Sequence, residues 1–510
     1  MRLRPLAVPA AALAVVLTLT GCLDMFQAPA VRSTSTPTGE TVAADLQSFY
    51  DQQLIWTGCG DGLQCTEAEA PLDWADPQRE SIHLALVRQA ATGGEPIGSL
   101  LVNPGGPGGS GYDFIHDSVD YATSETLQAS FDIVGFDPRG VNRSSAVSCY
   151  DDPADFDAFL FDLFPGEYGS DEWIAASEQA NADFGAACAE HTGELLGYVD
   201  TVSAARDLDL LRAILGDTKL NYLGYSYGTL LGATYAELYP QNTGRLVFDG
   251  ALDPATSSFD VSATQAQGFE SALRAFLADC ADYEDCPFTG SVDSAMTRIR
   301  TLLDRLDASP LRNEDGRELG SGAMTIAIIT PLYSESTWSA LRQIFTDVLR
   351  GDPAYAFQIA DFYYNRNSDG TYENNSTEAF LAINCLDYAT DSSLASIRAE
   401  EAELVTLAPV LGRQLAYGGT GCAEWPYPST RERGPIAAAG SSDILVLGTV
   451  NDPATPYRWA EAMAEQLENG HLVTYDGEGH TAYNKGSDCV NSVVDDYFIH
   501  GTVPTADPRC

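Results

Sequence analysis

The stretch "NYLGYSYGTLLG", residues 221–232, constrains this chain more than any other, because it brackets one serine, Ser226, with glycines between an apolar run and a helix-like run. The pentapeptide Gly224-Tyr225-Ser226-Tyr227-Gly228 fits G-x-S-x-G, and a strand before it and a helix after it are the context in which that pattern forms a sharp turn with an exposed hydroxyl. Glycine suits such a turn because a Cβ there would meet neighbouring strands. The amino end of the following helix then favours developing negative charge. An ordinary strand-to-helix turn with a hydroxyl in it is the competing reading.

A serine hydroxyl needs a general base, and the base needs an orienting carboxylate. "LGTVNDPATP" ends a late strand-like run with Asp452, and "VTYDGEGH" ends another with His480, which gives the chain order serine, acid, histidine. His83, His116 and His191 precede the serine, His471 starts a run and His500 lies in the tail. Asp249 in "LVFDGALDP" also ends a strand-like run and is the alternative acid, although a carboxylate capping backbone amides is the simpler reading for it. Asp476 and Glu478 read as turn residues. Acyl transfer further needs oxyanion donors: the amide of Tyr227 is one, and "LLVNPGGPGGSG" offers a second from Gly105 or Gly106. No Lys-Ser or Lys-Thr follows that loop, and no complete dinucleotide fingerprint accompanies it, so phosphate binding is a poor account of its glycines.

Around these motifs, apolar runs ("FDIVGFDPRG", "RLVFDG", "DILVLGTVND") alternate with amphipathic ones such as "TVSAARDLDLLRAILG". That alternation predicts a mainly parallel sheet with helices on both faces, an α/β class. Between residues 254 and 425 helical periodicity dominates, which predicts an inserted helical cap. The expected organisation is a signal over 1–21, a tether over 22–45, a core over 46–253, the cap over 254–425 and the rest of the core over 426–510.

The amino-terminal "MRLRPLAVPAAALAVVLTLTGC" pairs two arginines with an apolar run too short to span a bilayer comfortably, so it reads as an export signal. Its ending "LTGC" resembles a bacterial lipobox, which makes Cys22 the candidate lipidation site and a membrane tether the expected anchor. The other ten cysteines form an even set in an exported chain and predict disulfides; their spacing suggests pairing of sequence neighbours, Cys59 with Cys65 through Cys489 with Cys510. No CxxC or HExxH is present, so neither a metal nor a cofactor is expected. The net charge of -46 makes nucleic acid an improbable partner, while 45% hydrophobic residues exclude disorder as its explanation.

"LLVNPGGPGGSG", "DIVGFDPRGVNRS", "NYLGYSYGT", "GTVNDPATP" and "GEGH" occur in one order from about Leu54 to Cys510. In this the chain resembles the exported bacterial tripeptidyl aminopeptidases, relatives of the proline iminopeptidases among the α/β-hydrolases. The resemblance implies an α/β-hydrolase fold with a cap and a serine peptidase that acts on short peptides from free amino termini. Carried over by position, it implies Ser226 as nucleophile, Asp452 as acid, His480 as base, and Tyr227 with Gly105 or Gly106 as oxyanion donors. An aminopeptidase must also hold a charged amine, and Asp387 in "AINCLDYA" is the candidate anchor. An esterase or lipase of the same fold, and a tethered solute-binding lipoprotein, are the competing functions.

Overall fold

The computed structural model describes residues 32–429, 431 and 433–510; the expected signal and Cys22 lie outside the described residues. Twelve strands are described: β1 (Arg32–Thr34), β2 (Ile55–Gly60), β3 (Leu63–Pro71), β4 (Ser81–Gln89), β5 (Ser99–Asn103), β6 (Asp132–Phe136), β7 (Leu220–Tyr225), β8 (Thr243–Asp249), β9 (Leu311–Arg312), β10 (Glu318–Leu319), β11 (Ile444–Asn451) and β12 (Gly470–Glu478). Ten of them form one sheet in the order β1-β2-β3-β4-β6-β5-β7-β8-β11-β12, and β9 with β10 makes a separate hairpin. From β6 to β12 all neighbours are parallel, whereas β1 to β4 run antiparallel and join at the β4–β6 edge.

Burial explains the apolar runs. All five residues of β5 are buried, and β7, β8 and β11 are nearly as enclosed, as expected of parallel strands covered on both faces. One face packs on helices Thr201–Leu215, Tyr227–Leu238 and Arg458–Gln466. The other packs on Gly111–Ala122, Glu125–Ser130 and Asp488–His500. Helix Thr201–Leu215 is bounded as its sequence predicts, with Asp200 accepting from the Ser203 amide at its start and left-handed Gly216 after its end.

One expected boundary shifts. The tether was expected to run to residue 45, but β1 already pairs with β2 from Arg32, and Glu40 reaches the fully buried Arg212 at 2.7 Å. A buried guanidinium requires carboxylate partners, and Glu40 and Asp209 supply them. Between β8 and β11 the chain forms the expected helices, with their own apolar cluster around Phe276, Leu303, Ile328 and Phe345. Packing does not follow chain order, however. Phe161, from before β7, joins that cluster, while Ala379, Ile383 and Leu386 of helix Ser376–Asp387 pack into the cluster beneath the sheet. That helix bridges the two layers.

The five disulfides join Cys59–Cys65, Cys149–Cys188, Cys280–Cys286, Cys385–Cys422 and Cys489–Cys510, the neighbour pairing that the spacing suggested. No described helix is long and apolar enough to cross a membrane.

Arg139 of the "FDPRG" turn is fully buried, with Nε and Nη2 on the two oxygens of Asp207 at 2.7 and 2.6 Å and its remaining donors on the carbonyls of Pro71, Leu72 and Tyr198. This fork ties the turn after β6 to helix Thr201–Leu215. Replacing Asp207 by alanine leaves that guanidinium unpaired, and denaturant unfolding of the variant is expected to show a loss of about 3–5 kcal/mol.

Candidate active site

Ser226 lies where β7 gives way to helix Tyr227–Leu238, with φ +54° and ψ -124°, a conformation that L-residues seldom adopt. The flanking glycines are required by contact. A Cβ on Gly224 would stand 2.5 Å from the Gly228 carbonyl oxygen, and one on Gly228 would stand 2.8 Å from Asn103 Oδ1. The elbow is fixed from behind by the Ser226 amide, which donates to the Asp249 carbonyl at 2.9 Å. Its hydroxyl-bearing side chain is half-buried rather than enclosed.

Asp452 follows β11 and is buried. Its Oδ1 accepts from the amides of Ala454 and Thr455 at 2.9 and 2.8 Å, and its Oδ2 from the Thr455 hydroxyl and the Thr481 amide at 2.9 and 3.2 Å. These donors lock the carboxylate in the plane in which it meets His480 Nδ1, 2.9 Å from Oδ2 and 3.0 Å from Oδ1. An Nδ1–H donated to a carboxylate leaves Nε2 as the lone-pair nitrogen, the tautomer that a general base requires. His480 is held also by its own amide, which donates to the Tyr333 carbonyl at 2.8 Å, and by the Tyr333 ring, edge-on at 5.5 Å. Tyr333 ends the cap helix Ser321–Leu332, so the cap grips the histidine directly.

The imidazole and the serine meet around one peptide unit. A Cβ on Gly250 would lie 3.1 Å from His480 Cε1, and the preceding residue carries the carbonyl that holds the Ser226 amide. Among the described residues no hydrogen bond joins the Ser226 hydroxyl to His480. Such bonds often tighten only once substrate is bound.

The glycine loop after β5 separates its two candidate donors. The Gly105 amide already donates to Asn103 Oδ1 at 2.9 Å, so of the two glycines offered as alternative donors Gly105 is the one already committed. The Gly106 amide has no partner among the described residues. Gly105 matters as space instead, since its added Cβ would lie 2.9 Å from both Ser226 Cβ and the Tyr227 amide nitrogen.

Asp387 is also corrected. It is 1% exposed and engaged on both oxygens, taking the Thr201 amide at 3.0 Å and Arg431 Nη1 at 3.2 Å on Oδ1 and the Thr201 hydroxyl on Oδ2. Burial raises its pKa, with Arg431 opposing. A carboxylate committed to a guanidinium inside the protein is not offered to a substrate amine. Asp476 and Glu478 lie in β12 rather than in a turn, Asp476 pairing with Arg509 at the surface and Glu478 accepting from Asn451 at 2.7 Å. Asp249 caps the amides of Ala482 and Tyr483. Sequence reasoning missed Thr455 and Tyr333. The turn after Asp452 is a legible Asx-type signal for Thr455, but nothing local marks a cap tyrosine as a neighbour of His480. Among the described residues no group of three His, Cys, Asp or Glu side chains stands close enough to hold a metal ion.

A parallel sheet that presents a strained serine elbow, a carboxylate and an imidazole at the carboxyl ends of β7, β11 and β12 defines an α/β-hydrolase of the serine hydrolase class. Residues 408–510 match a family described as TAP-like protein, a subdivision of that fold. The chain is 36% identical to serine protease Hip1 of Mycobacterium tuberculosis, over 99% of this chain and 98% of that protein. It is 35% identical to a protein named carboxylesterase B from the same organism, over 96% of each. It is 29% identical to tripeptidyl aminopeptidase of Streptomyces lividans, over 88% of this chain and 83% of that protein. This chain belongs to the family of Hip1 and its TAP-like relatives.

Replacing Gly105 by alanine is expected to lower kcat by about 100- to 1,000-fold, the loss associated with one oxyanion donor, because the new methyl intrudes on the Tyr227 amide. Steady-state kinetics on a variant shown by thermal melting to be folded checks this.

Proposed function

We propose that this protein is an exported serine peptidase that removes short peptides from free amino termini. The observation that carries the reading is the pair of buried Asp452 with His480 beside the Ser226 elbow. In this reading Ser226 Oγ attacks the scissile carbonyl carbon as His480 Nε2 takes the hydroxyl proton. The carbonyl oxygen gains the negative charge and is held by the amides of Tyr227 and Gly106. As the C–N bond breaks, His480 returns the proton to the departing amine, and a water activated by the same imidazole then releases the acyl group and regenerates Ser226. The family relatives named as a serine protease and as a tripeptidyl aminopeptidase support peptide as the substrate class.

A relative named carboxylesterase B at nearly the same identity favours a second reading, hydrolysis of carboxylic esters at the same serine. The two separate by product analysis. Mass spectrometry of a mixed peptide library is expected to show short amino-terminal fragments released by the wild type and none by Ser226→Ala. Turnover of simple esters with every unblocked peptide left intact would replace the peptidase with the esterase, and peptide release by Ser226→Ala would remove the serine mechanism altogether.

Export and lipid anchoring at Cys22 belong to the same proposal. Five disulfides support an oxidising compartment, and "LTGC" supports lipidation. Cys22→Ala is expected to move the protein from the membrane fraction to the soluble one, with catalysis unchanged.

A further inference from the structure

Asp249 is fully buried at the end of β8, and the chemistry proposed above does not use its side chain. It nevertheless touches both halves of the site. Its carbonyl oxygen accepts from the Ser226 amide at 2.9 Å. Its carboxylate accepts from the Ala482 amide at 3.0 Å on each oxygen and from the Tyr483 amide at 2.8 Å, two and three residues beyond His480. The loop it grips is one that would not hold its shape unaided. Thr481 and Asn484 both sit at positive φ, +68° and +59°, where a side-chain-bearing residue is strained unless surrounding bonds over-determine it. The other anchors of that loop go to other elements: the Thr481 amide to Asp452 Oδ2 at 3.2 Å, Tyr483 OH to Asp495 at 2.6 Å, the Asn484 amide to Asn491 Oδ1 at 2.8 Å, and the Asn484 side chain to the carbonyls of Asp120 and Tyr121 at 2.8 and 3.2 Å.

We propose that Asp249 is a positioning residue that ties the His480 loop to the serine elbow, its main chain holding one and its carboxylate the other. The inference rests on the Ser226–His480 reading but not on the choice between peptide and ester. The carboxylate form is the one that accepts both amides, since a protonated carboxyl turns one acceptor oxygen into a donor among donors. Burial raises the Asp249 pKa to about 6, with the two amides, His480 and Lys485 opposing. The charged and titratable groups facing it are His480 and Lys485 from its partner loop, Tyr121 from helix Gly111–Ala122 and Tyr225 from β7. Lys485, lying 2.9 Å over the Tyr121 ring, is itself lowered to about 8 by burial, and Asp249 is the charge that opposes this.

The signs distinguish positioning from simple support. A carboxyl whose native pKa lies above its unfolded value binds its proton more tightly when folded, so its contribution to stability is present at low pH and is lost as pH climbs through about 6. The positioning role gives activity the opposite slope over that window, rising as the carboxylate forms.

The test is the hydrolysis of p-nitrophenyl butyrate by wild type, Asp249→Asn, Lys485→Met and the double variant, each as a pH series, beside Ser226→Ala and thermal melts. Asp249→Asn is expected to lose about 10- to 100-fold in kcat with KM within about threefold, the cost of a catalytic group held slightly out of place. Lys485→Met is expected to move the acid limb of kcat to higher pH, and to move nothing when Asp249 is already Asn. A folded Asp249→Asn variant with wild-type kcat and acid limb overturns the proposal, as does a Lys485→Met shift that persists in the double variant. If Asp249→Asn does not fold, an unmoved acid limb in Lys485→Met overturns it by itself. Activity surviving in Ser226→Ala is a different failure, that of the serine mechanism.

Discussion

Everything at the site depends on the parallel pairing of β8 with β11, which sets Asp249 opposite Leu447 across almost two hundred intervening residues. Main-chain hydrogen bonds inside a sheet covered on both faces have no water to compete with, and a buried unpaired amide or carbonyl is costly, so the register there is tightly specified. Once it is set, the loops after β7, β11 and β12 leave the sheet on one edge. The serine, the carboxylate and the imidazole therefore meet without any of them being near another in sequence. The helical insertion leaves the sheet from this same edge, after β8.

The cap is more than a cover. Tyr333 supplies the carbonyl that holds the His480 amide and the ring edge that packs against its imidazole. Helix Ser376–Asp387 packs into the layer beneath the sheet, and its first turns lie against the glycine loop: a Cβ on Gly108 would stand 2.4 Å from the Ser376 carbonyl oxygen and 2.9 Å from the Phe380 amide nitrogen. The glycine loop after β5 is thus wedged between elbow and cap. Changes in the cap reach the catalytic geometry through packing and main-chain bonds, with no long-range relay needed.

The buried charges follow one pattern. Arg139 with Asp207, Arg212 with Glu40 and Asp209, and Arg431 with Asp387 each tie a loop or an edge segment to an interior helix. In a chain with 73 acidic and 27 basic residues, a buried carboxylate is more readily a brace for an arginine or for main-chain amides than a ligand site, and Asp387 and Asp249 divide along that line. Acidic residues are common enough here that their presence in a promising motif carried little information. The contacts decided.

Local rules sufficed for much of this protein. The elbow was legible because G-x-S-x-G answers to sterics within a few residues, Asp452 and His480 because each ends an apolar run at a turn, and the disulfide pattern because each cysteine pairs with the next one in cysteine order. The sequence by itself therefore determined the fold class, singled out Ser226, Asp452 and His480 as candidates and suggested neighbour pairing of the cysteines. Only the tertiary structure decided that Gly105 gives space while the Gly106 amide has no partner among the described residues, that Asp387 faces Arg431, that residues 32–34 join the sheet and that Asp249 spans elbow and histidine loop. Each of those depends on which partner arrives from a distant strand or helix. A side chain's partners across the fold leave no periodic trace in the residues around it.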